Sequence, residues 1–137
     1  MKRSLWKLPV LLLFAFVLAS GLAAQQAAGN SAPAAKPAVP RADAKVGPCG
    51  ADFRIVDVDG KPVYGAWIHV LLRYRAFGAG KLDLTVGTDS NGEAEFRGLP
   101  DALKKPAQFE ISKGTLHATV DFDPGRNCHA YFSVQLK

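Results

Sequence analysis

An Asn-Gly pair between two alternating segments is the feature that most constrains the fold of this chain. Residues 88–100 read TDSNGEAEFRGLP, and apolar and polar residues alternate both before and after this pair. Such alternation on either side of Asn-Gly is typical of a β-hairpin. Asn91 and Gly92 tolerate the positive φ of a tight turn, and Asp89 can accept backbone N–H groups inside it. We therefore predict a hairpin whose turn is formed by Asp89, Asn91 and Gly92.

The chain from Cys49 to Lys137 consists of further short strand patterns separated by turn residues. One of these turns contains Asp59 and Gly60, and no window shows a convincing helical period. Short strands at this spacing, without helices, predict an all-β fold: a seven-stranded antiparallel β-sandwich with Greek-key connections. The predicted strands are Ala51–Val58, Val63–Tyr74, Lys81–Thr88, Glu93–Arg97, Ala107–Ser112, Leu116–Phe122 and His129–Leu136.

The alternation also assigns a buried side to each strand. In the second strand, for example, Ile68 and Val70 share one side and are expected to face the core. A slip of one residue would turn each such set towards solvent, so the pattern predicts the register as well. The first strand breaks the pattern, because the apolar residues Ile55 and Val56 have opposite parity. This predicts a bulge or burial on both sides.

The N-terminal part of the chain has the organisation of an exported protein. A basic start precedes an apolar run over residues 8–19 and a group of small residues, which predicts a cleaved secretory signal peptide over 1–24. The alternative is an uncleaved anchor, but a membrane-spanning helix needs about 20 apolar residues. Residues 25–48 are rich in Ala and Pro and are predicted to be a disordered linker. Residues 49–137 would then be a secreted or periplasmic domain without a membrane span.

The two cysteines, Cys49 and Cys128, both have the parity of inward-facing neighbours. In an exported protein such a pair predicts one structural disulfide. Closing a loop of about 80 residues contributes on the order of 4 kcal/mol in the chain-entropy account. A metal site is the alternative, but it needs more ligands than the two cysteines and the adjacent His129 supply. We predict neither a metal nor a cofactor.

The net charge of +5 does not describe the predicted domain. Residues before Cys49 hold six of the 17 basic side chains and one of the 12 acidic ones, which leaves 11 of each from Cys49 onward. A nucleic-acid footprint would require basic residues clustered on the folded domain. We therefore predict no nucleic-acid partner.

Two stretches resemble the carboxypeptidase regulatory-like domains. These are VDVDGKPVYGAWIHV over 56–70 and TDSNGEAEFRGLP over 88–100, and FEISKGTLHATV over 109–120 is compatible. The resemblance implies a transthyretin-like (prealbumin-like) fold and a non-catalytic module, here as a stand-alone copy. One enzymatic branch of that fold hydrolyses 5-hydroxyisourate. This chain has no His in its first strand and ends SVQLK instead of the branch's Tyr-Arg-Gly-Ser, so the hydrolase is a minor alternative.

The outward side of the second strand is the best candidate for a binding surface. A row that contains an outward Trp and Leu is more apolar than a solvated face needs. The alternative is structural, because a loop could cover this side or the strand could be buried on both sides. The expected partner is an envelope protein, a peptide or a glycan. The candidate residues are Tyr64, Trp67, His69, Leu71, Arg73 and Phe77.

Other chemistry is weaker in the sequence. His69, His117 and His129 all have outward parity and could share an acid/base or metal site if their strands were neighbours. Cross-strand polar pairing on a solvated face is the commoner arrangement. Asp57 and Asp59 suggest calcium, but a calcium loop needs six to eight oxygen ligands. No catalytic residue is predicted.

Overall fold

The computed structural model of the protein describes residues 37–75 and 79–137. The predicted signal peptide, the first part of the predicted linker and Phe77 lie outside these residues. Within the described part, no helix is long and apolar enough to cross a membrane. The strands are β1 (Arg41–Asp43), β2 (Cys49–Val56), β3 (Trp67–Tyr74), β4 (Gly80–Gly87), β5 (Glu93–Leu99), β6 (Ala107–Lys113), β7 (Leu116–Phe122) and β8 (His129–Gln135).

These strands form two four-stranded sheets that pack as a β-sandwich. Sheet A has the order β1-β5-β2-β8 and sheet B the order β4-β3-β6-β7. The predicted all-β sandwich is confirmed. Two details differ from the prediction, because the described residues contain eight strands and not all strands are antiparallel. The β1–β5 and β2–β8 pairs are parallel.

The additional strand lies in the segment predicted to be a disordered linker. β1 pairs with β5, and Pro40 accepts a hydrogen bond from the Glu95 backbone at 2.9 Å. Ala44 then donates to the carbonyl of Arg97 and is only 7% exposed. The position of this segment is therefore fixed by backbone pairing with β5. The ordered part of the domain therefore begins before Cys49.

The predicted hairpin is wrong, although its turn forms. Gly92 has φ 73° and donates its N–H to the carbonyl of Asp89. However, β4 pairs with β3 in sheet B, whereas β5 pairs with β1 and β2 in sheet A. Residues 88–92 therefore form a corner that carries the chain from one sheet to the other. Alternation determines which side of a strand is buried, but it does not determine which strand lies beside it.

Aromatic rings from both sheets form the centre of the core. Phe53 of sheet A lies 4.8 Å from Phe109 of sheet B, measured between ring centroids, and Phe96 lies 4.9 Å from the same ring. Ile68, Val70 and Leu72, which are predicted inward residues of β3, are fully buried, and Tyr74 at its end is partly buried against the core. Edge strand β7 is less covered, since its predicted inward residue Leu116 is 37% exposed. The predicted parity thus holds best on the central strands.

The irregularity predicted for the first strand lies elsewhere. The β2–β5 register shifts between Cys49 and Ala51, at the start of β2. β2 ends at Val56, and Val58 beyond it is 66% exposed. The alternative prediction, burial of Val58 on a second side of the strand, is therefore wrong. The predicted disulfide is confirmed: Cys49 and Cys128 are bonded, with their Cα atoms 4.7 Å apart. The bridge joins the start of β2 to the residue before β8.

Candidate binding surface

The predicted row of outward residues on β3 lies on the outer face of sheet B. Because Ile68, Val70 and Leu72 enter the core, the alternate side chains point away from it. Trp67 is 59% exposed at one end of the row. His69 and Leu71 are half-buried, and Arg73 is exposed at the other end. β4 pairs with all of β3 and β6 pairs with residues 67–70, so around Trp67 and His69 this surface consists of side chains.

Trp67 occupies space that is open because its cross-strand partner is glycine. Trp67 is opposite Gly87 on β4. A Cβ at Gly87 would lie 3.6 Å from Cζ3 of the indole, and Cε3 and Cη2 would be within 3.9 Å. The six-membered ring therefore lies over the backbone of β4 and still presents most of its surface to solvent.

His69 lies between carboxylates from both neighbouring strands. Its Nε2 is 2.7 Å from Asp83 Oδ1, and its Nδ1 is 3.8 Å from Glu110 Oε2. The register explains this arrangement, since Glu110 is directly opposite His69 on β6 and Asp83 is diagonal to it on β4. The middle of the row is therefore polar: it consists of His69 and the two exposed carboxylates that contact it.

Beyond His69, the row continues into a groove of about 670 Å³. Leu71 contributes an apolar side chain to the groove, and residues 103–106 of the β5–β6 connection form the opposite wall. Four basic side chains and one carboxylate line it. The charged lining residues are Arg73, Arg75, Lys104, Lys105 and Glu110.

The wall at residues 103–106 is the part of this surface that the sequence did not reveal. Nothing in the sequence between β5 and β6 indicates that Leu103 and Lys105 lie opposite β3. The adjacent Lys104 and Lys105 show only that this connection is basic. Their position across a groove from β3 depends on the packing of distant strands. Of the other predicted residues, Tyr64 is 70% exposed in the β2–β3 connection.

The predicted turn residues belong to two turns with the same hydrogen bonds. Asp89 Oδ1 accepts the N–H groups of Asn91 and Glu93 at 2.8 and 2.9 Å. In the β2–β3 connection, Asp57 Oδ1 accepts those of Asp59 and Lys61 at the same two distances. Asp59 therefore acts through its backbone, and Asp57 is the side-chain acceptor. Gly60, like Gly92, has positive φ.

The three histidines are not brought together. His69 is on β3 and His117 on β7, with β6 between them. His129 is on β8 in the other sheet. Across residues 37–75 and 79–137, no group of three or more His, Cys, Asp or Glu side chains is placed to hold a metal ion.

The outer face of sheet A has a different electrostatic organisation. Arg41 pairs with Glu95 at 2.8 Å, and Arg97 bonds Asp52 and lies 3.4 Å from Glu95. The hydrogen bond to Asp52 raises the pKa of Arg97, although partial burial opposes this effect. Arg41 and Arg97 are thus paired with carboxylates on sheet A.

Comparison with known proteins gives a likeness of fold alone. No protein-family model matches the chain, and no curated protein matches it. Catechol 1,2-dioxygenase from Pseudomonas arvilla C-1 has 14% identity and a TM-score of 0.49, over 73% of this chain and 58% of that one. For 3-chlorocatechol 1,2-dioxygenase from Rhodococcus opacus 1CP the values are 13% and 0.48, over 72% and 63%.

Sea bream transthyretin has 18% identity and a TM-score of 0.42, over 64% of this chain and 86% of that one. With 58% and 63% of their lengths covered, this chain spans less than two thirds of each of the two dioxygenases. At these identities the likeness extends neither to the chemistry nor to the ligands named for those proteins.

Proposed function

We propose that this protein is a non-catalytic binding module of the carboxypeptidase regulatory-like type, which binds its ligand through the outer face of sheet B. The observation that supports this most is Trp67, which is 59% exposed on an interior strand and begins a row of side chains that leads into a groove. Tryptophan is enriched among the residues that dominate binding energy, because it buries a large rigid surface at small entropic cost. A purely solvated sheet face does not need an indole there.

The module is proposed to act in the cell envelope or outside the cell. The sequence pattern of the N-terminal residues supports export, and the Cys49–Cys128 bridge is of the kind that persists in oxidising compartments. A role as scaffold for an envelope protein would use the same exposed face. It differs from ligand binding in that its partner would be a protein.

A glycan suits this face better than an extended peptide. Peptides that bind to sheets gain affinity by adding a strand to an edge, where backbone N–H and C=O groups are free. Along residues 67–70 β3 has none to offer, because β4 and β6 both pair with it there. A sugar chain needs only side chains: an aromatic ring against its apolar face and polar groups for its hydroxyls. The hydrolase alternative gains no support from His69 and His117, which are two strands apart.

The experiment is a binding screen with a matched pair of aromatic variants. The oxidised full chain is titrated with soluble and insoluble polysaccharides, and Trp67→Ala is compared with Tyr131→Ala. Tyr131 is 64% exposed on the outer face of sheet A and is therefore the control. We expect Trp67→Ala to weaken binding at least about tenfold, equivalent to about 1.4 kcal/mol.

Both variants should melt like the parent, since both side chains are mostly in solvent. Binding that is lost equally in Tyr131→Ala, or unchanged in Trp67→Ala, would move the function away from the outer face of sheet B. Absence of binding to every polysaccharide would contradict the glycan proposal and leave the scaffold role.

A further inference from the structure

The groove beside β3 concentrates positive charge in a domain whose basic and acidic side chains are equal in number. From Cys49 onward the chain has 11 basic and 11 acidic side chains, yet four of the five charged residues lining the groove are basic. Arg73 is also directly opposite Lys81 on β4, and both are exposed. Like charges directly opposite on neighbouring strands are destabilising, so this arrangement carries a cost in the free protein.

Within the described part of the chain, Arg73, Arg75 and Lys105 of the groove lack the carboxylate partners that Arg41 and Arg97 have on sheet A. Among residues 37–75 and 79–137, no carboxylate lies within 4.0 Å of a cationic nitrogen of Arg73, Arg75, Lys81 or Lys105. Asp83 on β4 and Glu110 on β6, the carboxylates beside the row, both contact His69. The end of the row at Arg73 therefore attracts anions.

The apolar and the cationic ends are separated by a distance that suits a chain ligand. Trp67 and Arg73 are six residues apart on one strand, which corresponds to about 20 Å at roughly 3.3 Å per residue. A single small anion cannot contact both ends. A polymer whose units carry both an apolar ring face and a negative group can contact Trp67 at one unit and the groove at another.

We infer that the outer face of sheet B binds an acidic polysaccharide. One sugar ring packs on Trp67, and carboxylate or sulfate groups further along the chain pair with Arg73, Arg75 and Lys105 in the groove. The guanidinium groups of Arg73 and Arg75 suit this task, because guanidinium forms paired, charge-assisted hydrogen bonds with carboxylates and with tetrahedral oxyanions. The inference rests on the proposed function, since both use Trp67, and adds the charge of the ligand to it.

The test compares four polymers that separate charge from sugar. The probes are polygalacturonate with carboxylates, dextran sulfate with sulfates, uncharged dextran, and poly-L-glutamate as an acidic chain without sugar. The variants are Arg73→Gln/Lys105→Gln for the groove and Arg54→Gln as control, because Arg54 is exposed on β2 of sheet A. All three substituted side chains are exposed, so melting temperatures should stay within a few degrees of the parent.

We expect tight binding to polygalacturonate or dextran sulfate and at least tenfold weaker binding to dextran. The groove variant should lose at least tenfold in affinity for the acidic polysaccharide and show a smaller dependence on salt, whereas Arg54→Gln should not. Trp67→Ala should lose affinity as well. The preferred acidic probe identifies the anion as carboxylate or sulfate.

The outcomes separate this inference from the proposed function. If dextran binds as tightly as the acidic polysaccharides and only Trp67→Ala weakens it, the face binds glycans and the acidic preference is wrong. If poly-L-glutamate binds equally well and Trp67→Ala has no effect, the face is a general anion surface and the polysaccharide inference is wrong. If no polysaccharide binds, this inference and the glycan ligand of the proposed function are both wrong, and the scaffold role is left.

Discussion

At the scale of single residues, a comparison of two turns with the same hydrogen bonds distinguishes the cost of backbone strain from the cost of a steric clash. Gly60 and Gly92 follow Asp57 and Asp89 at the same spacing and have φ of 78° and 73°. Their surroundings differ. A Cβ at Gly92 would lie 2.3 Å from the carbonyl oxygen of Ile55, whereas nothing lies within 4 Å of one at Gly60. Both glycines thus have a positive φ that disfavours a side chain. Only at Gly92 would a side chain also collide with neighbouring atoms.

We expect Gly60→Ala to lower the free energy of unfolding by about 1–2 kcal/mol, the cost of a side chain in the left-handed region. Gly92→Ala should cost about 1–3 kcal/mol more, because Ile55 and its neighbours must move. Urea unfolding of the two variants measures the difference directly. Equal losses would show that the turn at Gly92 relaxes and that the close approach to Ile55 has no energetic weight.

At the scale of elements, Thr88 holds the corner where the chain leaves sheet B for sheet A. It is the one buried polar residue among those described, at 3% exposure. Its hydroxyl donates to the carbonyl of Val63 at 2.6 Å and accepts the N–H of Ala66 at 2.9 Å. Its backbone bonds Gly65 and Ala66 as well. The corner is therefore fixed to the β2–β3 connection and not to a hairpin partner.

Thr88→Val should leave the Val63 carbonyl and the Ala66 N–H without their partner. We expect a loss of about 1–3 kcal/mol, the usual cost of a buried unsatisfied group. Thr88→Ser keeps the hydroxyl and should lose only about 0.8 kcal/mol for the missing methyl group. Thermal or urea unfolding of both variants is the measurement. A serine variant as unstable as the valine variant would assign the effect to packing.

The corner also shows which parts of this fold a sequence can reveal. Strand positions and buried sides follow from a period of two, which is local, and the inward residues of β3 were predicted correctly. Strand partners depend on contacts between distant segments, so the same pattern around Asn91 allowed both a hairpin and a crossing between sheets. β1 was missed because its composition is that of a linker and its order comes from pairing with β5.

The candidate binding surface also has a part that the sequence predicts and a part that it does not. The row from Trp67 to Arg73 could be predicted because it lies on one strand. The groove could not, since its second wall at Leu103 and Lys105 comes from a connection that reaches β3 only in the folded molecule.

At the scale of the whole molecule, the Cys49–Cys128 bridge joins segments that the chain itself keeps far apart. The two cysteines are 79 residues apart in sequence. The bridge lies at one end of the parallel β2–β8 pair, which no short turn can connect. A domain of this size buries a modest share of its surface on folding, so constraining the unfolded chain matters for its stability.

We expect reduction of this bridge to lower the free energy of unfolding by about 4 kcal/mol, from the loop-closure entropy regained by the unfolded chain. Total stabilities of about 5–15 kcal/mol are usual, so the reduced protein should be folded but close to its limit. Urea unfolding with and without reductant measures this without the cavity that Cys49→Ala would leave at a fully buried position. The slope against urea should also rise, because the reduced unfolded chain exposes more surface. An unchanged midpoint would mean that the pairing of β2 with β5 and β8 holds the sandwich closed by itself.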